Sequence, residues 1–455
     1  MKNLLTIALL AVTTSITAVA QKSDAALRSV MDSDRGSRSA DGRLLTLTAD
    51  EHLTRGQTYM DNRMFPQARE QFQKVLDNYP TDPGVAQAIF GIGRSLMWER
   101  QYAAAIPYLD RVAREFPFTK DGREGLNFKG ACHVRLGKNA EAANIYEQYT
   151  TMYPTGERID TAYLNVVDAL REAGKYDEAA AWVQKTRQRF SGQPTETNAL
   201  HALVRMDIYR GRWADAATTA DMILNLGRFS GSMTSSDEVR YLKATALEKQ
   251  GRLAEANAVY SSIADTGLSY YGGLAAERSK ERKRFIRRTG KSSSSDYPVV
   301  YRSEVLAAAR PRGIDPRFVL AIMKQESTFK PRAKSPSAAR GLLQLVFDTA
   351  LQYNTRAGFP NLKPDDLYDP RTNIAIGTEY IAALREQFGG LYEAVAASYN
   401  GGEDNATRWL DRSKPRDPAI FASEVGFAET KAYVFKVMVN YRNYRELYNE
   451  DLTRK

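Results

Sequence analysis

The chain has 455 residues, 43% of them hydrophobic and 26% charged, an ordinary globular make-up on a length beyond what one compact core usually serves, so two or more domains are expected. Its single cysteine, Cys132, excludes an internal disulfide, and stability has to come from packed helices. A formal charge of +10 suits an anionic polymer as partner, for which a cell wall and a nucleic acid are the obvious candidates.

Residues 1–20, MKNLLTIALLAVTTSITAVA, set Lys2 before an apolar run and end in Ala18-Val19-Ala20, the small-x-small pattern of a signal-peptide cleavage site. The mature chain is expected to begin near Gln21. The run is shorter than the roughly 20 residues of a bilayer span and is interrupted by threonines. No cysteine follows for lipid attachment, and no later stretch is apolar enough to span, so no transmembrane anchor is expected in the mature chain. Export to the periplasm or cell envelope favours the wall over a nucleic acid as the anionic partner.

Residues 21–48 are polar with few aromatics and read as a disordered tail. A repeat follows. A bulky residue with alanine three places on recurs as Phe65/Ala68, Tyr102/Ala105, Tyr176/Ala179, Trp213/Ala216 and Leu253/Ala256, with Asn139/Ala142 in the third slot. In phase with it run Tyr79-Pro80, Phe116-Pro117, Tyr153-Pro154 and Phe190-Ser191. Helical apolar spacing between the markers, with proline closing each second helix, makes every unit a helical hairpin that buries its apolar face only by stacking on the next. The pattern resembles tetratricopeptide-type repeats and predicts an α-solenoid over 49–278, its aromatics serving as core. A Lys/Arg/Ser-rich linker, 279–298, then leads to a C-terminal domain, 299–455.

All three histidines, His52, His133 and His201, and the cysteine lie upstream of residue 299. Metal clusters and Ser/His or Cys/His nucleophile systems are therefore excluded from the C-terminal domain, no cofactor is implied, and its chemistry must run on carboxylates, tyrosines or amides. Asp315-Pro316 opens a helix whose apolar stripe is Val319, Ile322 and Met323, and Glu326 falls on the same face. Against an apolar wall a glutamate keeps its proton near neutrality, as an acid that protonates a glycosidic oxygen must. Helical phase alone also accommodates a glutamate whose head snorkels back to water.

The run from Glu326-Ser327-Thr328-Phe329 through Arg340-Gly341-Leu342-Leu343-Gln344-Leu345 closely resembles the signature of soluble lytic transglycosylases, whose catalytic domain has the goose-type lysozyme fold. Asp369-Pro370 with Asn373-Ile374, Tyr399-Asn400-Gly401-Gly402, and Glu424 followed by Phe427, Glu429-Thr430 and Tyr433-Val434 continue the resemblance in family order. It implies an all-α chain, a solenoid of hairpins followed by a lysozyme-like domain, acting on peptidoglycan glycan strands. Glu326 would be the catalytic acid and then base, and Ser335, Gly341, Gln344, Tyr399, Asn400, Glu424 and Tyr433 would line the glycan cleft. Tyr399 is expected to offer a ring face to a sugar and its hydroxyl to Glu326. Taken singly, Asn400 could be part of a turn, Ser335 a helix cap and Glu424 a surface carboxylate.

The sequence departs from the family pattern at Val346-Phe347-Asp348, where Met-Pro-Gly is usual, at Ser337-Ala338, which replaces Val-Gly, and at Gly401, which replaces Ala. The first departure implies a wider or weaker sugar subsite. A hydrolase would need a second carboxylate as base or nucleophile. The resemblance implies instead that the muramyl C6 hydroxyl, deprotonated by Glu326, closes onto C1 to leave a 1,6-anhydro end. Two readings compete: a lysozyme-like hydrolase, and a scaffold whose solenoid recruits proteins while the C-terminal domain merely holds glycan.

Overall fold

The computed structural model describes residues 25–278 and 293–455; the expected signal segment, 1–20, and most of the expected linker lie outside the described residues. The regular elements among the described residues are all helices, and their extended pairings are isolated two-residue bridges (Arg38–Leu44, Lys334–Arg340 and Tyr448–Arg454). They fall into two compact units, one running to Ala173 and taking in Ala333–Arg340, the other comprising Gly174–Arg332 and Gly341–Lys455.

In the first unit the repeat markers fall where the hairpins need them. Phe65, Tyr102 and Asn139 each open a helix, and Tyr79, Phe116 and Tyr153 cap the same helices at their ends. Ala68, Ala105 and Ala142 are fully buried where neighbouring helices touch. Glycine serves the same purpose on either side of Phe72: a Cβ added at Gly56 or at Gly91 would come within 2.5 Å of its ring, so the ring is held between two helix backbones.

The expected disordered tail over 21–48 is corrected by the structure, which has residues 25–36 in a helix. Leu27, Val30 and Met31, at helical spacing, pack against the core of the first hairpins. Asp34 is buried and accepts from Tyr59 Oη and Gln71 Nε2, each at 2.7 Å, and from the Arg55 guanidinium. Composition misjudged this segment because three apolar side chains and one well-partnered carboxylate are enough to dock it. Asp34→Ala is expected to cost about 2–3 kcal/mol by stranding those donors. Limited proteolysis should then cut within 25–48 well before the repeats.

The second unit holds the last repeats and the whole C-terminal region. Tyr176, Trp213 and Leu253 again open helices, and Ala179, Ala216 and Ala256 are buried. One apolar cluster fills the C-terminal helices around Phe318, Trp409 and Tyr444. A second joins the repeat residues Leu200, Tyr241 and Tyr271 to Ala419, Ile420 and Val439. The last repeats and the C-terminal helices therefore share one compact unit. The physical reason is that the apolar faces of helices Ser236–Lys249 and Tyr270–Arg278 are covered by helices Pro418–Glu424 and Ala428–Leu447, as in the stacking of Tyr270 on Phe435 at 5.0 Å.

Candidate active site

Helix Pro316–Ser327 carries the candidate acid. Asp315 caps it by accepting from the Arg317 backbone N–H at 2.9 Å, and Pro316 occupies the first position. Val319, Ile322 and Met323 are fully buried, and Glu326, one turn on, is half-buried. The helix stops abruptly: Thr328 and Phe329 take φ of 49° and 62°, left-handed values that cost a non-glycine residue on the order of 1–3 kcal/mol each. Ser327 Oγ ties this turn to the next segment by donating to the Leu342 carbonyl at 2.7 Å.

That segment, Gly341–Gln344, is held from below by Asn373, which is fully buried. Its Oδ1 accepts from Leu343 N at 2.8 Å and its Nδ2 donates to the Leu367 carbonyl at 2.8 Å. Gly341 has φ of 79°, and an added Cβ would overlap the Leu367 carbonyl oxygen and the Asn373 amide. Gln344 is also left-handed, with φ of 46°, and its Nε2 donates to the Gly341 carbonyl at 2.8 Å. Both segments joined by the Ser327–Leu342 hydrogen bond thus carry left-handed non-glycine residues, Thr328 and Phe329 in one and Gln344 in the other.

The hydroxyl that reaches the acid is Tyr433, which donates to Glu326 Oε1 at 2.6 Å. The expectation for the Tyr399 hydroxyl is corrected, because it donates to the Leu343 carbonyl at 2.7 Å and so braces the segment rather than the acid. Its ring lies 5.2 Å from Tyr380, which lies 5.1 Å from Tyr353. Burial pushes the Glu326 carboxyl up to about 7, outweighing the Tyr433 hydrogen bond, which pulls the other way. Among the described residues no ionised group contributes to that shift. The arrangement can hold a proton at neutral pH, deliver it to an oxygen and take one back.

The remaining expected residues divide. Asn400 is exposed, and its Oδ1 accepts from Thr430 Oγ1 at 2.7 Å, which orients the amide. Gly341 is buried, and the side it leaves bare is filled by the Leu367 carbonyl and the Asn373 amide, so its missing side chain serves packing. Glu424 is corrected too: it is 1% exposed and paired with Arg205 at 2.8 Å and Arg412 at 3.3 Å, which leaves it no open face for a sugar. Ser335 belongs to Ala333–Arg340, which groups with the first unit, and there its Oγ accepts from Ala339 N at 3.1 Å. Asn373 and Thr430 were read from sequence as motif residues without a role in the site, and Tyr380 was not read at all. Tyr380 lies seven residues after Asn373 on helix Pro370–Gln387, a same-face spacing that could have flagged it. Among the described residues no group of His, Cys, Asp or Glu is placed to hold a metal ion.

Comparison with known proteins matches residues 304–421 to the family described as Transglycosylase SLT domain, and residues 53–120 and 130–194 to the Tetratricopeptide repeat. The chain carries an SLT domain behind tetratricopeptide repeats. The soluble lytic murein transglycosylases of Salmonella typhimurium and of Escherichia coli K12 are each 34% identical to it over 151 residues, 33% of this chain and 23% of theirs. The membrane-bound lytic murein transglycosylase C of Sodalis glossinidius is 31% identical over 166 residues, 32% of this chain and 46% of its own. The match therefore spans about a quarter of the length of the first two relatives. An inactive mutant of the lytic transglycosylase Slt of Pseudomonas aeruginosa superposes with a TM-score of 0.53 at 18% identity, over 88% of this chain and 73% of that one. The 70 kDa soluble lytic transglycosylase of Escherichia coli gives 0.51 at 20% identity over the same shares, 88% and 73%. The SLT domain and its preceding repeats thus share the fold of these proteins, an all-α chain of solenoid and lysozyme-like parts.

Tyr433→Phe is expected to move activity in a defined direction. The hydroxyl favours the ionised Glu326, so its removal raises the carboxyl above its value of about 7. A rate that needs the protonated acid falls as pH rises through that value, and in the variant the fall should begin at higher pH. The pH profile of glycan turnover checks this.

Proposed function

We propose that the protein is a peptidoglycan lytic transglycosylase that cuts the β-1,4 bond between N-acetylmuramic acid and N-acetylglucosamine and leaves a 1,6-anhydro end. In this reading the segment 299–455 is the catalytic domain, 49–278 the solenoid that serves it, and 1–20 the signal that exports it to the cell envelope. The single observation that carries the proposal is Glu326, half-buried, hydrogen-bonded to Tyr433 and raised to about 7 with no ionised group among the causes. An inverting or retaining hydrolase needs a second carboxylate roughly 5–9.5 Å from the first. A hydrolase of that kind adds water to the product, which the product mass reveals.

Protonated Glu326 gives its proton to the glycosidic oxygen as the bond to muramyl C1 breaks. The same group, now ionised, removes the proton of the C6 hydroxyl, whose oxygen closes onto C1. Attack from within the sugar competes with bulk water because the hydroxyl is already in place. Tyr433 supports the carboxylate between the two transfers, and the exposed Asn400 amide is available to an N-acetyl group. The likeness of the SLT domain to soluble lytic murein transglycosylases supports the substrate class. No helix among the described residues is long and apolar enough to cross a membrane.

Digestion of purified sacculi and mass measurement of the released muropeptides test the proposal. Products lacking one water relative to the hydrolysed disaccharide are expected. Products with the full mass of water added would assign a lysozyme-type hydrolase instead, and no release at all would assign a glycan-holding scaffold.

A further inference from the structure

In its first two turns helix Ala428–Leu447 sends three side chains, Thr430, Lys431 and Tyr433, to polar partners on different elements. Thr430 donates to Asn400, Lys431 Nζ donates to Glu238 Oε1 at 2.6 Å, and Tyr433 donates to Glu326. Glu238 belongs to repeat helix Ser236–Lys249 and is 0% exposed, while Lys431 is 3% exposed. Two residues along a helix turn the side chain by about 200°, so Lys431 and Tyr433 face opposite ways, one to the repeats and one to the acid. Phe435, farther along, stacks on Tyr270 of the last repeat helix.

A buried pair of this kind contributes little net stability, because removing two charges from water costs about as much as their attraction returns. What it supplies is direction. Lys431 finds its acceptors in Glu238 and, at 3.4 Å, the Ser423 carbonyl, so the helix can neither slide nor roll without leaving a charge unpaired. The groups facing the pair are His201, whose Nε2 lies 3.0 Å from Glu238 Oε1, together with Arg205 and Glu424, themselves paired at 2.8 Å. Burial would raise the Glu238 carboxyl, but Lys431 and His201 hold it below its ordinary range, and burial keeps the His201 ring neutral, down to about 4.

We propose that Glu238 and Lys431 are positioning residues through which the last repeats set the Tyr433 hydroxyl against Glu326, making the end of the solenoid part of the acid's own support. The inference rests on the reading of Glu326 as the acid. Without the pair the helix relaxes, the Tyr433 hydrogen bond lengthens, and the acid loses the contact that stabilises its ionised form.

The test compares pH profiles of sacculus digestion for the full chain, Glu238→Gln/Lys431→Met, Lys431→Arg, Tyr433→Phe and the triple variant. Removing both charges together avoids stranding either one. In Glu238→Gln/Lys431→Met the falling limb is expected to move up by about half a pH unit, with kcat down about tenfold and KM little changed. Lys431→Arg should recover most of the loss. In the Tyr433→Phe background the pair change should move the limb no further, because both act on one hydrogen bond. A folded double variant with the parental limb, or a shift that adds fully to that of Tyr433→Phe, overturns the proposal. So does loss of the cooperative unfolding transition in every pair variant at the assay temperature, which would make the pair a requirement of folding. Retained turnover in Glu326→Gln would instead overturn the assignment of the acid, a separate outcome.

Discussion

Glu326→Gln is expected to lower sacculus turnover by about 10²–10⁴-fold while leaving the protein folded. The amide fits the same space and can still accept from Tyr433, but it cannot give a proton to a leaving oxygen or remove one from a hydroxyl. The substitution should also change stability with a definite sign. The carboxyl titrates near 7 in the folded protein against an ordinary value of 4.5, so the folded state disfavours its ionised form. Ionisation therefore costs stability that begins to be lost above pH 4.5 and is fully lost above about 7. The glutamine cannot ionise, so thermal melts should show the variant more stable than the parent at pH 8 and equal to it near pH 4. A variant that keeps parental turnover would remove Glu326 from the chemistry.

Gly341→Ala is expected to be the most damaging single methyl group in the C-terminal region. The position is left-handed at φ of 79°, and the new Cβ would overlap the Leu367 carbonyl oxygen and the buried Asn373 amide. Neither neighbour can swing away: one is backbone, and the other already holds Leu343 N and the Leu367 carbonyl. Combined backbone strain and overpacking should cost about 3–5 kcal/mol and displace the segment bearing Gln344. Gly313→Ala provides the control, since Gly313 is also left-handed, at φ of 64°, but has nothing within 4 Å of an added Cβ. Its cost should stay near about 1–2 kcal/mol, the penalty of the backbone conformation alone. Melting temperatures and turnover of the two variants, measured side by side, separate steric overlap from backbone strain. Equal losses would show that the packing around Gly341 carries no special weight.

Much of this molecule is legible without coordinates, and the legible parts share a property. The alanine and aromatic markers, the caps at Asp315 and the stripe that leads to Glu326 all depend on residues within a few turns of one another. Helical periodicity expresses such relations directly, so their spacing can be read from the chain. The docked helix over 25–36 escaped because it turns on Asp34 meeting Tyr59 and Gln71, residues 25 and 37 places away. Glu424 was misjudged for the same reason, since the arginine that occupies it, Arg205, lies 219 places back. Tyr399 and Tyr433 stood as two tyrosines in neighbouring motifs, and nothing in their sequence context says which hydroxyl reaches the acid.

The sequence by itself determined the repeat register, the all-helical class and the one carboxylate suited to hold a proton, because each follows from local spacing and residue chemistry. Only the tertiary structure decided which partners those residues take: Tyr433 rather than Tyr399 on Glu326, Arg205 on Glu424, Glu238 on Lys431. Hydrogen bonds and ion pairs act over about 3 Å, whereas these partners stand 107 to 219 residues apart. Their meeting is a property of how helices pack, which no stretch of the chain carries alone.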